Sequence, residues 1–176
     1  MKQRYIVASL MSAACLLAVT LTVVAQDRSG VKVPDGLALS DFNGYETWQA
    51  IAPSETPDGI KAILGNSVMI NAYKAGIPAN GNAVPDGAMM AKIEWAKRPN
   101  SESPYAVSVP DTLTSVAFMV KDAKRFAASG GWGYAKFDYL AASDRFQPSG
   151  TGSGCGYTCH TRVKARDYVF TKFARR

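Results

Sequence analysis

The sequence predicts an α+β domain, an antiparallel β-sheet with a few flanking helices. Three observations lead there. Residues 88–95, 114–121 and 131–139 hold apolar runs of strand length, two of them alternating between faces. Between and around them lie only short stretches with helical spacing of apolar residues. The chain has 176 residues, 47% hydrophobic and 19% charged, with no internal repeat, which fits one globular domain. The same proportions exclude a disordered tail, a collagen-like repeat and a long acidic or basic scaffold. With one His and three Cys in the chain, any centre that needs several histidines is excluded as well.

The elements follow in order. Lys2 and Arg4 precede an almost wholly apolar run over residues 5–25, the pattern of a secretory signal, with cleavage expected after Ala25 and export to the periplasm. If uncleaved, these 21 residues are long enough to act as an N-terminal anchor. Cys15 is read as leader filler. Residues 26–40 form a flexible lead-in, and residues 41–176 the domain. Ser40 or Asp41 is expected to cap a helix through Tyr45, Trp48 and Ile51 that Pro53 stops. Residues 60–65 read as a strand, Asn66 and Ser67 as a turn, and residues 68–75 as a helix ending at Gly76. Two Pro, two Gly and two Asn make residues 77–87 a loop.

On the strand at 88–95, Met89, Ala91, Ile93 and Trp95 share one face, and Met90, Lys92 and Glu94 the other. A short helix is expected over residues 122–129, ended by Gly130 and Gly131. In the strand that follows, Trp132, Tyr134, Lys136 and Asp138 lie on one face. Residues 146–154 read as a loop.

Loss of Lys2 and Arg4 with the leader leaves a net charge of +4. Residues 161–176 alone carry +5, so the basicity is local. A nucleic-acid binder would spread its cations over a groove-sized face, which this chain does not do. The basic end is read as solvated, or as a docking patch for an acidic partner.

The segment Cys155, Gly156, Tyr157, Thr158, Cys159 and His160 is read as a C-x-x-C-H haem-attachment site. Each thiol can add to a vinyl group of one haem, and the following histidine falls over the iron as its ligand. Export agrees with that reading, since covalent haem attachment takes place outside the cytoplasm. Structural zinc would need a carboxylate beside the two Cys and the only His. A redox pair would be expected at the start of a helix in a βαβ unit. His160 being the only histidine, no second one can ligate the iron. That leaves Met69, Met89, Met90, Met119, a lysine, water or nothing, and no Met follows Cys155. Met residues in apolar runs serve mostly as core filler, so an open distal position is inferred, suited to a small diatomic or nitrogenous ligand.

The attachment segment, the strand PDGAMMAKIEW, the run FMVKDAKRFAASGGWGY and the ending ARDYVFTKF together resemble the cytochrome P-460 family over residues 42–173. The resemblance implies an antiparallel-sheet fold, usually homodimeric, shared with the gas-binding cytochrome c′-beta group. It also implies that Lys92, on the strand after the P-D-G turn, is cross-linked to a haem meso carbon, as in members that oxidise hydroxylamine. Such an amine must lose its proton before it can attack, which calls for a pKa lowered from about 10.4. Ala117 stands where competent members carry a proton-accepting glutamate, and Lys61 where some place an arginine near the distal pocket. Glu94, on the face of Lys92, is a substitute base or simply an exposed strand carboxylate.

The sequence therefore points to an exported mono-haem oxidoreductase acting on hydroxylamine or nitric oxide. In it Cys155 and Cys159 hold the porphyrin, His160 holds the iron, and an exported redox partner takes the electrons. The second reading is a gas-binding protein with little turnover, which Ala117 favours. A plain electron carrier, the third, would need a strong sixth ligand.

Overall fold

A computed structural model describes residues 26–34, 36–149 and 153–174; the leader expected over residues 1–25 lies outside them. Six strands form one antiparallel sheet in chain order: β1 (Gln49–Thr56), β2 (Gly59–Gly65), β3 (Met89–Pro99), β4 (Ser108–Lys121), β5 (Trp132–Leu140) and β6 (Arg145–Pro148). Helix α1 (Ser67–Lys74) follows β2, and helix α2 (Ser153–His160) follows β6. This is the α+β architecture the alternation predicts.

The strand alternation divides the sheet into two faces. Leu64, Ala91, Val116, Phe118, Ala135 and Phe137 point to one side and bury against Val33, Leu37, Leu39, Phe42 and Tyr45. Phe118 is the hub: Phe42 stacks on it at 4.1 Å between ring centroids and Tyr45 meets it edge-on at 5.0 Å. Part of the lead-in is thus core, and Gln26 pairs with the backbone of Phe146 through both its amide oxygen and nitrogen, at 2.8 and 2.7 Å. On the opposite side, Ile51, Ile63, Met90, Met119, Trp132 and Tyr134 pack with Met69 and Ile70 of α1 and with Tyr168 and Val169 of the C-terminal segment. Asn66 caps α1 by accepting from the Met69 amide at 3.0 Å. Its side chain also accepts from Met89 N at 3.1 Å, tying the helix start to β3.

Three expectations need correction. Residues 40–51 do not form a helix. The three-residue spacing of Phe42, Tyr45 and Trp48 is met by two 3-10 turns, Leu39–Phe42 and Tyr45–Thr47, broken by Gly44 at φ +83°, and Ile51 belongs to β1. Pro53 is accommodated there because β1 is an edge strand. Residues 122–129 contain a single 3-10 turn, Ala127–Ser129, since the Asp122 carboxylate draws the amides of Lys124 and Arg125 into a local turn. Residues 146–148 lie in strand β6, where Phe146 packs on Tyr139 at 5.2 Å between centroids.

Candidate functional site

Helix α2 ends at His160, continues into a 3-10 segment over Thr161–Arg166, and then reverses direction at Asp167 and Tyr168. Both residues adopt positive φ, 45° and 63°, an arrangement that costs a non-glycine residue on the order of 1–3 kcal/mol and persists only where its surroundings hold it. Lys121 does so. Its Nζ, on a side chain only 6% exposed, donates to both carboxylate oxygens of Asp167 at 2.9 Å and to the Gly130 carbonyl at 3.1 Å. The same carboxylate accepts from the Val84 amide at 2.8 Å. Gly130 is itself required, because a Cβ there would run into the Tyr168 ring.

The reversal aims the Tyr168 carbonyl at His160, whose Nδ1 lies 2.6 Å from it. A carbonyl only accepts, so Nδ1 carries the proton and Nε2 keeps its lone pair. Burial holds the His160 pKa below the ordinary value; the Tyr168 carbonyl opposes this and the Lys92 charge adds to it. The ring sits between Tyr134 and Phe170, at 5.1 and 4.8 Å between centroids.

His160 opens onto a cavity of about 690 Å³, within the range of small-molecule and cofactor sites. Gly156, Cys159, His160 and the segment from Val169 to Lys172 form its roof. Its floor is the second sheet face, with Lys61, Ile63, Lys92, Ala117, Tyr134 and Lys136. The register explains their meeting: Ile63, Lys92, Ala117 and Lys136 are successive partners across β2 to β5, and Lys61, Glu94 and Ser115 are partners across β2 to β4.

Glu94 organises the cations. Its Oε1 lies 3.0 Å from Lys61 Nζ and 3.1 Å from Lys92 Nζ, and Oε2 accepts from the Ser115 hydroxyl at 2.8 Å. It is no exposed strand carboxylate, since its side chain is 15% exposed. Burial pushes its pKa up, but the Ser115 hydroxyl and the Lys92 and Lys61 ammonium groups outweigh burial and bring it from 4.5 down to about 2. The folded value is depressed, so this stabilisation is complete above about pH 4.5 and disappears as pH falls towards 2. Discounted for partial exposure, it amounts to about 2 kcal/mol. Glu94→Gln is therefore expected to unfold at lower denaturant than the parent at pH 6, with the gap closing near pH 2.5; a gap that stays constant with pH would refute this role.

The structure thus brings Lys61, Lys92, Cys159 and His160 to one cavity, with Glu94 joined to it through its ion pairs with Lys61 and Lys92; Cys155 lies on α2, its side chain outside the described residues. Of the four methionines, Met90 and Met119 line the cavity and Met69 is core. Tyr134 and Lys136 also line the cavity; they lie on the strand face that alternation predicts, but nothing in their local sequence marks them as site residues. Asp167 and Tyr168 likewise carry no local signature.

The attachment segment departs from its expected spacing. Gly156, Tyr157 and Thr158 separate the two cysteines, so the pattern is C-x-x-x-C-H, one residue longer than C-x-x-C-H. The cysteines do lie on a helix after a strand, but in an antiparallel meander and not in a βαβ unit.

The family model Cytochrome P460 matches residues 42–171. The chain belongs to the cytochrome P460 family. No curated protein matches it. Membership in the cytochrome P460 family makes the protein a haem-binding cytochrome, and its residues fit that group. His160 keeps one ring nitrogen fixed by a backbone carbonyl and the other free beside a cavity of cofactor size, the arrangement in which a hydrogen bond to one nitrogen orients the other towards a metal. Lysines on the floor can meet its carboxylates. No helix among the described residues is long and apolar enough to cross a membrane.

Proposed function

We propose that the protein is an exported mono-haem c-type cytochrome that binds and oxidises hydroxylamine, nitric oxide or both, working as a homodimer with an exported redox partner. The observation that carries this reading is the placing of Lys92 and His160 on the floor and roof of one cavity, close enough for the Lys92 charge to act on the imidazole. Bound haem supplies the redox-active iron. His160 holds the metal through Nε2, with its orientation fixed by the Tyr168 carbonyl. Lys92 is the residue to be joined to the porphyrin edge. Glu94 presents its amine beside that of Lys61 and, with its pKa near 2, is a weak proton acceptor at neutral pH. Arg162 and Lys164, exposed directly after the iron ligand, offer an acidic redox partner a docking point close to the haem.

A second reading rests on Ala117, which puts a methyl group between Lys92 and Lys136 where a base would be needed. It describes a gas-binding protein of the c′-beta kind with little turnover. The ferrous absorption spectrum of protein matured in an export-competent host separates the two. A broad, red-shifted Soret band that Lys92→Tyr converts to an ordinary haem c band is the expected result. An ordinary five-coordinate spectrum, unchanged by the substitution, would exclude the cross-link and leave gas binding.

A further inference from the structure

Two residues of the attachment segment share the cavity roof with His160: Cys159 and Gly156. In C-x-x-C-H the first thiol stands three residues before the second, and here that position belongs to Gly156. On an α-helix of 3.6 residues per turn, position 156 lies about 40° round the axis from His160, whereas position 155 lies about 140° away and about 1.5 Å further along. The extra residue thus carries the first cysteine position off the side of the helix that the iron ligand and Gly156 share.

Nor can position 156 take the thiol back. A Cβ on Gly156 would lie 2.6 Å from Cγ of Tyr134 and 2.7 Å from its Cβ. Tyr134 is a 5% exposed residue of β5 whose ring also flanks His160. The helix approaches the sheet at Gly156 because no side chain intervenes, and this contact is what seats Cys159 and His160 over the floor. Close seating of the helix and a cysteine in the usual register exclude each other in this chain.

We propose that the haem is held by one thioether, through Cys159, and that Cys155 remains a free thiol in the mature protein. This rests on the c-type haem reading above and specifies its linkage. The Cys159 sulfur forms a bond to a vinyl carbon, and the thiol hydrogen ends on the neighbouring carbon. Nothing leaves, no oxidant is needed, and the second vinyl group stays intact.

The test uses the mature wild-type holoprotein, so no variant has to fold. It is denatured, reduced, alkylated with iodoacetamide and cut with trypsin, and the fragment over residues 146–162 is sequenced by mass spectrometry. The expected fragment carries one haem on Cys159, with the peptide over residues 75–97 attached through that haem where Lys92 is joined to it, and one alkyl label on Cys155. A haem-bearing fragment without a label means two thioethers and overturns the proposal while the c-type reading survives. Haem on Cys155 with the label on Cys159 overturns it likewise. Two labels and no covalent haem would overturn both. Cys155→Ala is expected to keep covalent haem at the parent level, and Cys159→Ala to lose it.

Discussion

Ala117→Glu is expected to raise hydroxylamine oxidation on the order of 10²-fold, near the lower end of what a positioned general base contributes. Ala117 lies on the cavity floor and pairs across the sheet with Lys92 on one side and Lys136 on the other. A carboxylate there would face the same space as His160 and could take protons from a bound amine. The gain stays modest for an electrostatic reason. Lys136 beside the new carboxylate lowers its pKa, as neighbouring ammonium groups do for Glu94, and a weaker base takes up a proton less readily. The measurement is the steady-state rate with an artificial electron acceptor, on protein whose haem content and spectrum match the parent. If haem loading is intact and the rate does not rise, Ala117 is not the missing base.

Asp167→Asn is expected to destabilise the fold by about 3–5 kcal/mol, the cost of leaving a buried charge without its partner. Asparagine tolerates the left-handed backbone of position 167, so the substitution isolates the charge. Lys121, with a side chain 6% exposed, would keep no anionic partner, only neutral oxygens such as the Gly130 carbonyl, and the Trp132 ring, 5.1 Å from Nζ. The amide nitrogen of Asn would also face a donor, either the Val84 amide or Lys121. Because Asp167 precedes the residue whose carbonyl orients His160, haem retention should weaken together with the denaturation midpoint. Adding Lys121→Met should recover much of the loss, since removing both charges is far less costly than removing one. If the single variant costs under about 1 kcal/mol, the pair behaves as a solvent-exposed bridge and the reversal is held by other contacts.

The elements that were legible in the sequence are those whose own residues carry a period. Strand β3 shows both faces in seven letters, Met89 to Trp95, and the face holding Lys92 is the one that meets the cavity. Helix α1 is legible from its helical spacing after the turn at Asn66 and Ser67, whereas the cap that Asn66 supplies shows only in the structure. Strand β1 was hidden because a bulge between Ala50 and Ala52 breaks its alternation and Pro53 resembles a helix stop. Strand β6 is four residues long and leans on β5 on one side and on Gln26, 120 residues away from Phe146, on the other, so it shows nothing on its own. At the site, His160, Cys159, Lys92, Lys61 and Glu94 were accessible from residue type and resemblance. The Lys121–Asp167 pair was not, because 46 residues separate its members and the backbone at Asp167 and Tyr168 is held in place by tertiary contacts.

The order of the sheet has a consequence for how the cofactor is acquired. Every strand pairs with its neighbour in sequence, so each pairing closes a short loop and the floor can assemble hairpin by hairpin. The roof is of another kind. Residues 153–174 reach back across the molecule, with Tyr73 donating to the Thr171 carbonyl and Ala174 N to the Ile51 carbonyl. These latches join stretches about a hundred residues apart, 98 in the case of Tyr73 and Thr171. Closing the roof therefore costs more chain entropy than closing a hairpin of the floor, and local opening of residues 153–174 would expose the cavity on the side that carries His160 without unpairing the sheet. Through such an opening a cofactor would reach the floor without crossing the hydrogen-bonded strands.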